Sequence, residues 1–166
     1  IVTSNSKLAK KLRYYKDFGR NKPGNDIHNH FGYNLKITDL QSVLAIGQLK
    51  NINYRVKMKK QIYNTYYNLL KNNEKIKIFH PNKGETNWSV DIYIKNSLGL
   101  HKELKSKKIM SRFVYPPINS QKIYKNQKGL PVSNKYCKNG LWLPTSIDLK
   151  NNEIKKICKI INAYIN

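Results

Sequence analysis

Apolar residues recur at helical spacing over much of the first 72 positions and alternate with polar ones in short stretches beyond them. The first rhythm predicts helices and the second half-buried strands. Ile1-Val2-Thr3 is β-branched and predicts a short strand; Ser6 stands where it can N-cap a helix from Lys7 to about Tyr15, with Leu8 and Leu12 on one face. From Asp17 to Gly32 the run DFGRNKPGNDIHNHFG is dense in Gly, Asn and Asp, which predicts a long turn-rich loop with polar side chains free to contact a ligand or partner. Thr38 and Gln41 make a capping-box pattern. They open the series Leu40, Val43, Leu44, Leu49, Ile52, Val56, Ile62, Tyr66, Leu69 and Leu70, which reads as one long helix, bent near Gly47 or at 51–53.

Beyond Asn72-Asn73 the rhythm changes. Ile76 and Ile78, and then Val90, Ile92 and Ile94, alternate with polar neighbours and predict strands. Ser97 to Lys107 reads as a short amphipathic helix through Leu100 and Leu104, Ile109 to Tyr115 as a strand stopped by Pro116-Pro117, and the stretch through Pro131 as polar turns. Leu141-Trp142-Leu143 predicts a short strand ended by Pro144, and Ile154, Ile157, Ile161 and Ile165 mark the inner stripe of a final helix. Residues 1–36, 37–72 and 73–166 are thus expected to be three successive parts: a strand, helix and loop, a long helix, and a small α+β domain.

A chain of 166 residues with 39% hydrophobic and 25% charged residues is a globular chain, long enough to bury a core. Its apolar runs are far shorter than the ~20 residues a membrane span needs, so no membrane association is expected. The first five residues carry neither a basic nor an apolar signal region, and the chain is expected to be an internal piece of a protein. Cys137 and Cys158 show no disulfide or zinc spacing, which fits a reducing cytoplasm. The net charge of +23 raises a polyanion as partner, but 28 of the 32 basic residues are Lys, whereas base-edge readout favours the forked Arg. A non-catalytic basic domain that binds nucleic acid or another polyanion therefore stands as the alternative reading, and specific nucleic-acid recognition is not expected.

Short motifs add little chemistry. The sequence has no GxGxxG, P-loop, GxSxG or HExxH. His28 and His30 beside Asp26 lack a third firm ligand, so no metal site is assigned. Asp39, Asp91 and Glu103 are unpaired carboxylates, and Tyr63, Tyr66 and Tyr67 fall at helical spacing as core or interface residues. From residue chemistry alone the chain is an α+β globular piece.

Several weak motifs in a fixed order say more. Asp17-Phe18-Gly19-Arg20, Gly32-Tyr33-Asn34-Leu35-Lys36-Ile37-Thr38-Asp39-Leu40-Gln41, Gln48-Leu49 and Arg55 resemble the segment that follows the cofactor lysine in the DegT/DnrJ/EryC1/StrS family of sugar aminotransferases. Trp88-Ser89-Val90-Asp91-Ile92-Tyr93, Ser111-Arg112-Phe113-Val114-Tyr115-Pro116-Pro117, Tyr124, Leu130-Pro131 and Gly140-Leu141-Trp142-Leu143-Pro144 are similar to that family's C-terminal domain, in its perosamine synthase-like branch. The resemblance covers essentially the whole chain.

It implies an α/β fold, the PLP-dependent transferase fold type I, with this chain as the end of the large domain, a long connecting helix and the small α+β C-terminal domain. It implies pyridoxal 5'-phosphate (PLP) as cofactor, glutamate and a nucleotide-linked keto sugar as substrates, and a homodimer with shared active sites. The Schiff-base lysine of the family lies in a K-x-x-T/S-x-G-E-G-G context that no lysine here matches, so it is expected upstream of Ile1 and no catalytic residue is assigned in this chain. By the same resemblance Asn34 and Lys36 reach the phosphate of the partner subunit's PLP, and Tyr33, Arg112 and Tyr115 bind the sugar nucleotide. Trp88-Ser89 departs from the Trp-His of many relatives, which leaves a His-dependent contact without its residue.

Overall fold

The computed structural model describes residues 1–166 except 24–25, 81, 83, 122–128 and 166, so Tyr124 lies outside the described residues. The chain divides into two units, Ile1–Asn51 and Ile52–Asn166.

In the first unit, α1 (Ser6–Lys16) is capped one residue earlier than its sequence suggested: Asn5 Oδ1 accepts the Leu8 N–H at 3.0 Å. The helix stops where Phe18 (φ 54) and Gly19 (φ 75) both turn left-handed. Such a conformation is costly for Phe and natural for Gly. The Gly19 N–H caps the Tyr14 carbonyl at 2.8 Å. Residues 33–35 then return along the helix end, with the Tyr33 N–H donating to Tyr15 O (2.7 Å), the Leu35 N–H to Lys16 O (3.0 Å) and the Phe18 N–H to Tyr33 O (3.0 Å). The helix α2 (Asp39–Lys50) opens on the full capping box, Gln41 N–H to Thr38 Oγ1 and Thr38 N–H to Gln41 Oε1. No residue of α2 is buried; Leu40, Val43, Leu44 and Leu49 are all exposed. Ile1-Val2-Thr3 forms no strand, because among the described residues no backbone pairs with it and β-propensity alone does not hold an isolated segment extended.

The expected long helix is interrupted at Asn51, where the second unit begins with α3 (Ile52–Leu70). Ile62, Tyr63, Tyr66 and Leu70 of α3 join Ile154, Ile157, Cys158 and Ile161 of α6 (Asn151–Ile165) and Leu100 and Leu104 of α4 (Ser97–Ser106) in one core. That core covers one face of an antiparallel sheet in the order β1-β3-β2, made of β1 (Val90–Tyr93), β2 (Arg112–Phe113) and β3 (Gly140–Leu143). Val90, Ile92, Leu141 and Leu143 point into it, and Asp91, Tyr93 and Trp142 point the other way. Side chains along a strand alternate between faces, so the register alone puts those polar and aromatic groups together.

Three expectations change. The strand over 109–115 shrinks to Arg112–Phe113, whose pairing with β3 is extended by one hydrogen bond from the Val114 N–H to Gly140 O at 3.2 Å. Ile76 and Ile78 are buried, yet Lys77 makes only a single bridge to Tyr93. Within the stretch expected as turns lies α5 (Pro131–Asn139), begun by a proline at its first position.

Candidate functional site

The loop of the first unit is built around Phe18. Lys36 Nζ lies 4.7 Å and Arg20 Cζ 5.0 Å from its ring centroid. Both cations also have carboxylates: Lys36 Nζ is 2.9 Å from Asp17 Oδ1, and Arg20 is 2.7 Å from Asp26 Oδ1. The Lys36 ammonium, hydrogen-bonded to the Asp17 carboxylate, holds it below the ordinary range. His28 Nδ1 sits 2.7 Å from Phe18 O, and His30 stacks on Tyr14 at 4.4 Å. Two glycines lock the crossing. A Cβ on Gly19 would fall 1.6 Å from His30 O, and one on Gly32 would fall 2.1 Å from Gly19 N. What this packing leaves outward are Tyr33 and Asn34, both exposed, the Asn34 amide with no side-chain partner among the described residues.

In the second unit the outer face of the sheet carries a row across all three strands. Asp91 pairs with Trp142 and Trp142 with Arg112, so a carboxyl, an indole and a guanidinium lie side by side. Arg112 Cζ is 4.9 Å from the Tyr115 ring and 5.6 Å from the Trp142 ring. Tyr115 and Trp88 each meet Trp142 edge-on, at 4.9 and 5.5 Å. Burial pushes the Asp91 carboxyl up, offset in part by the Ser89 hydroxyl that donates to it. Arg112 has no carboxylate within ion-pair distance, and Trp142 Nε1–H no acceptor, among the described residues. Beside this row opens a cleft of about 250 Å³ lined by Trp88, Ser89, Arg112, Trp142, Pro144 and Thr145. An unpaired guanidinium on an aromatic floor suits an anionic group carried by a flat or ring-shaped body.

The sequence model of the DegT/DnrJ/EryC1/StrS aminotransferase family matches residues 1–162. The chain belongs to this family. GDP-perosamine synthase of Vibrio cholerae is 25% identical over 84% of this chain and 40% of its own length. The dTDP-4-amino-4,6-dideoxy-D-glucose transaminase of Escherichia coli is 29% identical over 78% of this chain and 38% of its own. A crystal structure of a family member from Brucella abortus, 24% identical, superposes with a TM-score of 0.87 over 99% of this chain and 45% of that one. The chain thus spans less than half the length of the relatives it matches, and its fold is that of part of a fold type I PLP-dependent aminotransferase.

Within this DegT/DnrJ/EryC1/StrS chain, the residues singled out by resemblance fall into two groups. Tyr33, Asn34 and Lys36 lie together in the first unit, and Arg112 and Tyr115 in the second. The first group fits a phosphate through the unused amide of Asn34, whereas the Lys36 ammonium is already held by Asp17. The second group gains Trp142, the shared platform under Arg112 and Tyr115, and Asp91. Neither stands out in the sequence, where Trp142 is one residue of a short predicted strand and Asp91 one of three unpaired carboxylates. The alternation within β1 was the signal that puts Asp91 on the polar face.

Proposed function

We propose that this chain is the C-terminal part of a PLP-dependent aminotransferase that transfers an amino group from glutamate to a keto-deoxy nucleotide sugar, for the amino sugars of surface glycans. The observation that carries this reading is the family match over residues 1–162. When bound, PLP would supply the carrier for the amino group and an electron sink for the reacting carbon. The residues of this chain bind and orient. Asn34 donates to the phosphate of the PLP held by the partner subunit of a homodimer, and Lys36, tied to Asp17, adds positive charge more than a hydrogen bond. Arg112 grips the diphosphate through its planar fork while Tyr115 and Tyr33 border the sugar. Because no lysine among the 166 residues stands in the family's G-E-G-G context, we place the Schiff-base lysine outside this chain, and the chain alone does not transaminate. A supply of nucleotide sugars points to the cytoplasm.

The test is to incubate the complete enzyme with PLP, glutamate and a panel of nucleotide-linked keto sugars, and to look by mass spectrometry for replacement of the carbonyl oxygen by an amine. Arg112→Gln should raise the KM for the sugar nucleotide by about tenfold or more with PLP loading unchanged. Failure to aminate any member of the panel, with any amino donor, overturns the reading. The family membership gives no support to the alternative of a polyanion-binding domain.

A further inference from the structure

Strands β1 and β3 pair as far as Val90 and Leu143, and there the ladder stops. The next residue after Leu143 is Pro144, which has no N–H to give. The two segments leaving the sheet are joined instead by Lys59, a half-buried residue of α3. Its Nζ donates to the Trp88 carbonyl at 3.2 Å, the Thr145 carbonyl at 2.7 Å and Thr145 Oγ1 at 3.2 Å. The Thr145 hydroxyl in turn donates to the Trp88 carbonyl at 3.3 Å. All three N–H groups of the ammonium are used on protein oxygens, and no carboxylate among the described residues pairs with it. Burial without a counter-charge pulls the Lys59 pKa below its ordinary value. A lysine present only for solubility keeps its head in water. This one spends its charge on two loops, and those loops carry Trp88 and Thr145, both walls of the cleft beside Arg112.

We propose that Lys59 is a positioning residue, which ties Trp88 to Thr145 and so fixes the Trp88–Trp142–Arg112 cleft in its substrate-binding shape. The proposal deepens the aminotransferase reading and rests on it for the identity of the ligand, a nucleotide sugar. Lys59 itself makes no contact with substrate. Trp88 is 69% exposed, with Trp142 as its ring contact, so without Lys59 its loop keeps the long 3.3 Å hydrogen bond from the Thr145 hydroxyl but loses the ammonium that braces it, and gains freedom to swing from the cleft. Pairing between a guanidinium and a diphosphate tolerates little displacement, which makes such a tie matter for binding.

Trp88 and Trp142 are the two tryptophans of the sequence, with ring centroids 5.5 Å apart and planes at 77°, so the circular dichroism couplet of interacting indoles reports on this cleft alone. Lys59→Met keeps the stem and removes the donors, whereas Lys59→Arg restores a charged donor. In this chain Lys59→Met should lose more than half of the couplet while keeping its helical signal. In the complete enzyme it should raise the KM for the sugar nucleotide by about tenfold with kcat kept within about twofold, and Lys59→Arg should recover part of both losses. If Lys59→Met does not fold, Thr145→Val, which deletes one hydroxyl, is read the same way and should lose a smaller part of the couplet. An unchanged couplet overturns the proposal whatever the KM does. A lost couplet with unchanged KM upholds the tie and overturns the assignment of the cleft to the sugar nucleotide.

Discussion

Tyr66 offers a test in which the expected sign runs against the usual effect of a core substitution. It lies in α3 with no exposed surface, and its hydroxyl has no hydrogen-bond partner among the described residues. A buried hydroxyl without a partner costs about 1–3 kcal/mol. Tyr66→Phe keeps the ring in the core and removes that oxygen, at a loss of under about 1 kcal/mol in packing contacts. The variant should therefore be more stable by about 1–2 kcal/mol, where most core changes destabilise. In a unit of this size that is a rise of roughly 4–8 °C in Tm, with a higher urea midpoint and an unchanged m-value. Alkaline titration gives a second reading. Burial raises the Tyr66 pKa well above its ordinary 10.0, so the folded state keeps the phenol protonated where an unfolded tyrosine ionises. The stability this contributes is intact below pH 10 and is lost as the pH rises from there towards the folded-state value. Phenylalanine has no such loss, so the advantage of Tyr66→Phe should widen above pH 10. A variant less stable than the parent at neutral pH, or one whose alkaline decline matches the parent's, refutes the assignment of an unpaired buried hydroxyl.

The other expectations concern each unit in turn. Gly32→Ala forces a Cβ to within 2.1 Å of the Gly19 backbone nitrogen, and should cost about 1–3 kcal/mol locally, read as faster hydrogen exchange at the amides of Phe18 and Tyr33. Unchanged protection there would show that the crossing is looser than its contacts. Asn34→Ala in the complete enzyme should weaken PLP retention by roughly ten- to a hundredfold, the worth of one hydrogen bond to a charged group, measured by equilibrium dialysis. Equal retention would remove Asn34 from the phosphate site. Ile161→Ala, at a fully buried point of α6, should lower stability by about 2–5 kcal/mol, seen as a fall in the urea midpoint.

Interactions between near neighbours in the chain were legible before any fold was known. The Thr38–Gln41 capping box spans one helical turn, and the isoleucine stripe of α6 and the alternation in β1 each repeat within their own element. The errors have the opposite character. Pro131–Asn139 lacks an apolar stripe and read as turns; part of what favours it as a helix is Tyr136, packed 4.8 Å from Tyr93 and 5.4 Å from Phe79, residues distant in sequence. Ile1-Val2-Thr3 has strand propensity but, among the described residues, no strand to pair with. Of the candidate site, Tyr33, Asn34, Lys36, Arg112 and Tyr115 could be singled out by resemblance, but that Lys36 is held by Asp17 and that the Asn34 amide has no side-chain partner among the described residues required coordinates.

By itself the sequence determined the family, the order of most elements and the absence of hydrolase or P-loop motifs, because ordered motifs and local periodicity survive without a fold. Tertiary structure alone decided which side chains act together. Among 28 lysines nothing in spacing or composition marks Lys59, whose shortest hydrogen bond, to the Thr145 carbonyl, spans 86 residues. Likewise Arg112, Trp142 and Asp91 become one row only through the register of three strands brought together by the core beneath them. A hydrogen bond or a stacked ring is a matter of a few ångströms in space, and across such separations only the packing of the core sets that distance.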